Sequence, residues 1–266
     1  MHRYRAESAG ERLCQHVHER LHDDEKAWRY LENVVRPVGD CKSLTAYYKF
    51  HAAVFLSCKL ISAGKSVSQI NAVNTATLAA ILERYPLGNL NSGNRLLRFL
   101  SDAVSNSDRP ISSGISNEMR AFAKTKHPFC YICGVRLDFS DENSRSYFTL
   151  DHLWPSCYGG NSMPENLLPA CSDCNTKKAN FAAWVSTDVH SLFLGINPDQ
   201  NHLEQMRFSH RYSLFNRAAF SFAINREQTL KESFLELGPW VEARVEDTEL
   251  ATDMFNIVSH QEHIEI

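Results

Sequence analysis

Several things are scarce in this 266-residue chain, and each absence narrows what it can be. It has no run of about 18 apolar residues, so the sequence predicts no membrane-spanning helix. The opening Met1-His-Arg-Tyr-Arg-Ala-Glu lacks the apolar centre of a secretion signal, which points to a cytoplasmic protein with reduced thiols. There is no internal repeat and no low-complexity tract, which excludes solenoids and disordered tails as the main architecture. Net charge is only −3, so composition alone does not announce a nucleic-acid binder. The charge is uneven, however. Residues 1–128 hold 18 Lys and Arg against 12 Asp and Glu, whereas residues 186–266 hold 6 against 13. A phosphate-binding surface is expected on the first part and not on the acidic last part.

Some apparent motifs fail on inspection. Gly64-Lys65-Ser66 ends like a phosphate loop, but that loop needs a glycine at position 59, where Lys59 stands. His18 and His22 lie one helical turn apart without a third ligand nearby, and His260 and His263 are no better placed. Of the eight cysteines, Cys14, Cys41, Cys58 and Cys157 are scattered, and Cys157 reads as an incidental thiol.

The other four cysteines form two Cys-x-x-Cys knuckles, Cys130/Cys133 and Cys171/Cys174. Two such knuckles supply four soft ligands, the number that a closed tetrahedral zinc requires. Gly134 follows the first pair, where a tight turn favours glycine. A closed site has no open position, so this zinc is expected to be structural. Between the knuckles lie Leu150-Asp151-His152-Leu153-Trp154-Pro155, Gly159-Gly160 and Asn166-Leu167-Leu168; Asn175-Thr-Lys177-Lys178 follows the second.

Cysteine pairs, Asp-His, Gly-Gly and Asn-Leu in this order resemble the HNH endonuclease family, in its four-cysteine zinc variant. The resemblance covers roughly a fifth of the chain. It implies a ββα-metal unit and a metal-dependent endonuclease acting on DNA. His152 then serves as general base, since imidazole titrates near neutral pH. Asp151, on the opposite face of its strand, and Asn175, at a helix start, offer oxygens to a Mg²⁺ or Mn²⁺ ion. Asn166 matches the asparagine that orients the base, and Lys177 and Lys178 are placed to hold a phosphate backbone. Asn175 stands where the family often has histidine, which favours an oxygen-binding cation. The alternative is a zinc-stapled nucleic-acid- or protein-binding module with an inactive nuclease site. A four-cysteine redox protein fits less well.

The fold expectation is mostly α with a small central ββα-metal module, α+β overall. It divides into a helical region at 1–110, the nuclease module at 111–190 and a helical region with an acidic tail at 191–266. Helices are expected over 11–36 (through Trp28, Leu31 and Val35, ended by Arg36-Pro37), over 44–62 (ended near Gly64), from an N-cap at Ser68 through Ile70 and Val73 to Tyr85-Pro86, over 92–105, from Ser116 to Lys126 after a polar linker at Ser105–Gly114, over 176–194 with Trp184 buried, and over 200–235 as one long or two broken helices up to Gly238-Pro239. Met254–Val258 is expected to dock back on the body. Within the module the expected order is strand, strand, loop, helix. An HNH module inside apolar helical flanks resembles nuclease subunits of bacterial restriction and anti-phage systems. That implies a homo-oligomer or a complex with a second defence protein such as an ATPase. No recognisable sequence reader is present, so substrate strandedness and sequence preference are not read from the chain.

Overall fold

The computed structural model describes residues 4–23, 41–68, 75–83, 93–182 and 199–243. Helix α1 spans Ala9–Asp23 and opens with a capping box. The Ser8 amide donates to Glu11 Oε2 at 2.8 Å, and the Glu11 amide donates to Ser8 Oγ at 3.2 Å, so two orphan donors are satisfied. The helix therefore starts two residues before its expected position. Leu13, Val17 and Leu21 repeat at steps of four and are buried. The expected continuation through Trp28, Leu31 and Val35 to Pro37 lies outside the described residues.

Helix α2 spans Cys41–Ser68 and runs through Gly64, where the sequence suggested a stop. The glycine is there for close approach instead. A Cβ at Gly64 would lie 2.5 Å from Val104 Cγ2 of the packed neighbour. Ser68 consequently ends this helix and does not cap the next one. Helix α3 spans only Thr75–Leu82; Ile70, Val73 and Tyr85-Pro86 lie outside the described residues. Helix α4, Gly93–Asn106, buries Leu96, Leu100, Ala103 and Val104 against α1 and α2. Helix α5, Ser113–Thr125, is capped by Ser112, whose Oγ accepts from the Ile115 amide at 3.4 Å. The stretch expected as a linker is thus a short turn between two helices.

Among the described residues the sheet is one antiparallel pair, β1 at Phe148–His152 and β2 at Leu167–Cys171, with Phe148 opposite Cys171 and His152 opposite Leu167. The module therefore runs strand, loop, strand, helix: the loop with Gly159-Gly160 lies between the strands and not after them. Helix α6, Ser172–Lys178, follows β2 directly. It stops at Lys178, because Ala179 takes φ +45°. Of the helix expected over 176–194, residues 176–178 belong to α6, residues 179–182 are not helical, and Trp184 lies outside the described residues. Helices α7, Gln200–Arg226, and α8, Leu230–Leu237, resolve the 200–235 stretch into two. Thr229 and Glu232 make a capping box on α8, and Gly238 (φ +71°) ends it. Met254–Val258 lies outside the described residues. Among the described residues no helix is long and apolar enough to cross a membrane.

The core ties the flanks to the centre. One hydrophobic cluster includes Leu13, Leu60 and Leu100, then Ile132, Trp154 and Leu168, then Tyr212, Phe215 and Phe234. Tyr131 meets Phe234 edge-on with centroids 5.3 Å apart. The Trp240 amide donates to Ile132 O at 2.9 Å, and the Gly10 amide to Gly159 O at 2.9 Å.

Candidate active site and metal centre

The first knuckle is a tight turn. Gly134 adopts φ +77°, and its amide donates to Cys130 O at 2.9 Å. The second knuckle forms where β2 turns into α6. Cys171 caps that helix, and its Sγ accepts from the Cys174 amide at 3.4 Å. The four Sγ atoms of Cys130, Cys133, Cys171 and Cys174 all lie within 4.8 Å of one another, and Cys133 and Cys171 are 3.8 Å apart. Sulfurs about 2.3 Å from a tetrahedral zinc are about 3.8 Å from each other, so the cluster fits that ion. The thiols are close enough to compete for protons. Hydrogen bonding from Cys130 draws Cys133 down, and hydrogen bonding with Cys130 pushes Cys174 up. Among the described residues this is the one group of His, Cys, Asp and Glu arranged to hold a metal.

Successive residues of β1 face opposite ways, and the final pair uses this. Asp151 turns inward under α6 and is 3% exposed. His152 turns toward the loop and is half-buried. Its Nε2 lies 2.9 Å from Ser162 Oγ, and Ser162 Oγ lies 2.5 Å from Arg109 O. Burial lowers the His152 pKa below that of an ordinary imidazole, against an upward pull from Asp151. A neutral imidazole is the form that accepts a proton from water.

Asn166 is buried and braces the chain just beyond His152. Its Oδ1 accepts from the Trp154 amide at 2.8 Å, and its Nδ2 donates to Trp154 O at 2.9 Å and to Asn161 O at 3.1 Å. None of these hydrogen bonds goes to the imidazole. Any orienting effect runs through the backbone that it fixes two residues after His152. The same loop is anchored by Trp154, whose Nε1 donates to Tyr158 O at 2.8 Å.

Helix α6 lies along β1. Asn175 donates from Nδ2 to Thr149 Oγ1 at 3.1 Å and to Leu150 O at 3.4 Å. Its Oδ1 has no hydrogen-bond partner among the described residues. Lys178, three positions on and so on the same helix face, donates to Asp151 Oδ1 at 2.9 Å and to His152 O at 2.7 Å. Tyr131 completes the enclosure by donating to Asp151 Oδ2 at 2.5 Å. Two expectations change as a result. The Lys178 side chain is 0% exposed and is spent on Asp151, so it does not present its charge to a phosphate backbone. Asp151 has both carboxylate oxygens engaged, one of them by an ammonium. A divalent cation on that oxygen would face the ammonium at short range, so the pair does not fit such an ion as it stands. Lys177 remains partly exposed and pairs with Asp173 at 2.9 Å.

Sequence reasoning did not find Tyr131, Ser162 or Arg109. Tyr131 carried a faint signal, since it sits inside the first knuckle. Ser162 and Arg109 carried none, because they meet His152 only through the path of the loop.

Residues 130–181 match the family model described as HNH endonuclease. No curated protein and no solved structure matches the chain. The matched segment holds the whole four-sulfur cluster, His152 and both asparagines, and it assigns residues 130–181 to the HNH endonuclease family as a domain within a longer chain.

Proposed function

We propose that this protein is a nuclease that hydrolyses phosphodiester bonds in DNA, with His152 as the general base. The observation that carries the reading is a half-buried imidazole fixed at the end of β1, in a strand–loop–strand–helix unit stapled by four cysteines. His152 takes a proton from water, the hydroxide attacks phosphorus, and the P–O bond to the leaving sugar oxygen breaks, that oxygen taking its proton from solvent. Asn166 holds the backbone that aims the ring. Lys177 is the partly exposed cation of α6, and it would reach a neighbouring phosphate by leaving Asp173. Of the two oxygen donors expected for Mg²⁺ or Mn²⁺, Asn175 Oδ1 has no hydrogen-bond partner among the described residues, and Asp151 becomes one only when Lys178 withdraws. Supercoiled plasmid incubated with Mg²⁺, Mn²⁺ or EDTA tests the reading. Nicking by the parent protein and none by His152→Ala is expected. A parent no more active than His152→Ala in any metal overturns it.

A specific observation favours a second reading. The Asp151–Lys178 pair neutralises internally the charge that would attract a catalytic cation. A zinc-stapled nucleic-acid-binding module would keep that pair permanently closed. It would retain DNA in a gel-shift assay without cutting it.

A further inference from the structure

We propose that Ser162 is a positioning residue for His152, and that the backbone carbonyl of Arg109, outside the HNH segment, selects the tautomer of the imidazole. Ser162 Oγ and Arg109 O are 2.5 Å apart, a hydrogen-bond distance. A carbonyl oxygen carries no proton, so the proton between them is the serine's. With that proton committed, Ser162 Oγ can only accept from its other neighbour. That neighbour is His152 Nε2 at 2.9 Å. Nε2 therefore carries the imidazole proton, and Nδ1 keeps the lone pair. The relay runs His152 Nε2–H to Ser162 Oγ–H to Arg109 O, and it leaves Nδ1 as the nitrogen able to take a proton from water.

The carbonyl at its end is firmly held. Residue 109 lies in the turn between α4 and α5, and that turn is pinned to the loop beyond His152. The Asp108 amide donates to Ser156 O at 3.1 Å, and Asp108 is ion-paired with Lys65 of α2. Lys65 Nζ also reaches Cys157 O at 3.5 Å. The helical flank thus sets the protonation geometry of a histidine in the HNH segment. The contact consists of a hydroxyl and a main-chain carbonyl, and the Arg109 side chain braces the same turn by donating from Nε to Ser105 O at 2.7 Å.

The consequence for activity rests on His152 being the base; the tautomer assignment does not. The full-length, zinc-loaded protein labelled with ¹⁵N-histidine is compared with Ser162→Ala and Ser162→Thr, and His152 is identified as the resonance missing from His152→Gln. The parent is expected to show a protonated Nε2 and an unprotonated Nδ1 in a single fixed tautomer. Ser162→Ala should show exchange-averaged tautomers, with kcat lower by about ten- to hundredfold, the range for loss of a histidine's orienting partner, and KM unchanged. Ser162→Thr, which keeps the hydroxyl, should restore both. A parent protonated at Nδ1, or a Ser162→Ala protein with the parent's fixed tautomer, overturns the inference. If no variant cleaves DNA, the nuclease reading fails alone, because the tautomer readout still decides this one.

Discussion

Lys178 Nζ lies 2.9 Å from Asp151 Oδ1, with the lysine side chain fully enclosed and the carboxylate nearly so. A buried pair of this kind is worth little against an apolar replacement, yet it is costly to break from one side. Lys178→Met should therefore destabilise the fold by about 3–5 kcal/mol, because it strands a buried carboxylate. The double variant Asp151→Asn, Lys178→Met should recover much of that loss. Urea unfolding of the single and double variants measures the difference. Equal losses would show that the two groups are not coupled.

The cysteine cluster predicts one tightly bound zinc per chain, measurable by elemental analysis of purified protein. Cys171→Ser removes a ligand, and it also removes the sulfur that caps α6. It should release the metal and unfold the β1–β2–α6 unit, since binding energy of such ions is folding energy. A chelator should produce the same loss in the parent. Purified protein without zinc or iron would refute this.

Within the site, His152→Ala should lower cleavage by about 10²- to 10⁴-fold, the range for losing a general base, while zinc content and melting temperature stay close to the parent's. Asn166→Ala should behave differently. It leaves the main-chain groups of Trp154 without their partners in a buried setting, at about 1–3 kcal/mol per group. Loss of activity in Asn166→Ala should therefore come with a lower melting temperature. Cleavage and stability measured on both variants separate a chemical role from a bracing one.

A pH prediction comes from α1. Burial pushes the Cys14 thiol from near 9 up to about 12. The folded state holds that proton more tightly than the unfolded chain does. Its contribution to stability is complete below pH 9 and is lost as pH rises through about 12. Stability should fall on the alkaline side, and less steeply in Cys14→Ala. Cys157, raised by burial to about 11, should likewise resist alkylation at pH 8 in the folded protein, because the thiolate is the reactive form.

Contact between flank and loop gives the last prediction. A Cβ at Gly10 would fall 2.1 Å from Tyr158 O and 2.2 Å from Trp154 Nε1. Gly10→Ala should lever α1 away from the loop after His152. It should cost stability by about 1–3 kcal/mol and lower cleavage, although position 10 lies far from the HNH segment in sequence. Unchanged melting and activity would show that the loop does not depend on α1.

What the sequence determined by itself is what short spacings can encode. Two knuckles with a glycine after the first, an Asp-His dipeptide at the end of a strand, and apolar residues recurring at helical steps each state their role within about ten residues. The cysteine cluster, the opposed faces of Asp151 and His152, and most helix locations were legible for that reason. Tertiary structure decided everything that depends on which neighbour arrives. Gly64 looked like a helix stop and proved to be a close approach to Val104. Lys178 looked like a phosphate contact and proved to be the internal partner of Asp151, because a seven-residue helix packed along β1 turns that position inward. Ser162 and the Arg109 carbonyl meet His152 across a separation of 53 residues between themselves. No local pattern carries that meeting, since it exists only once the loop between the strands has closed against the helical flank.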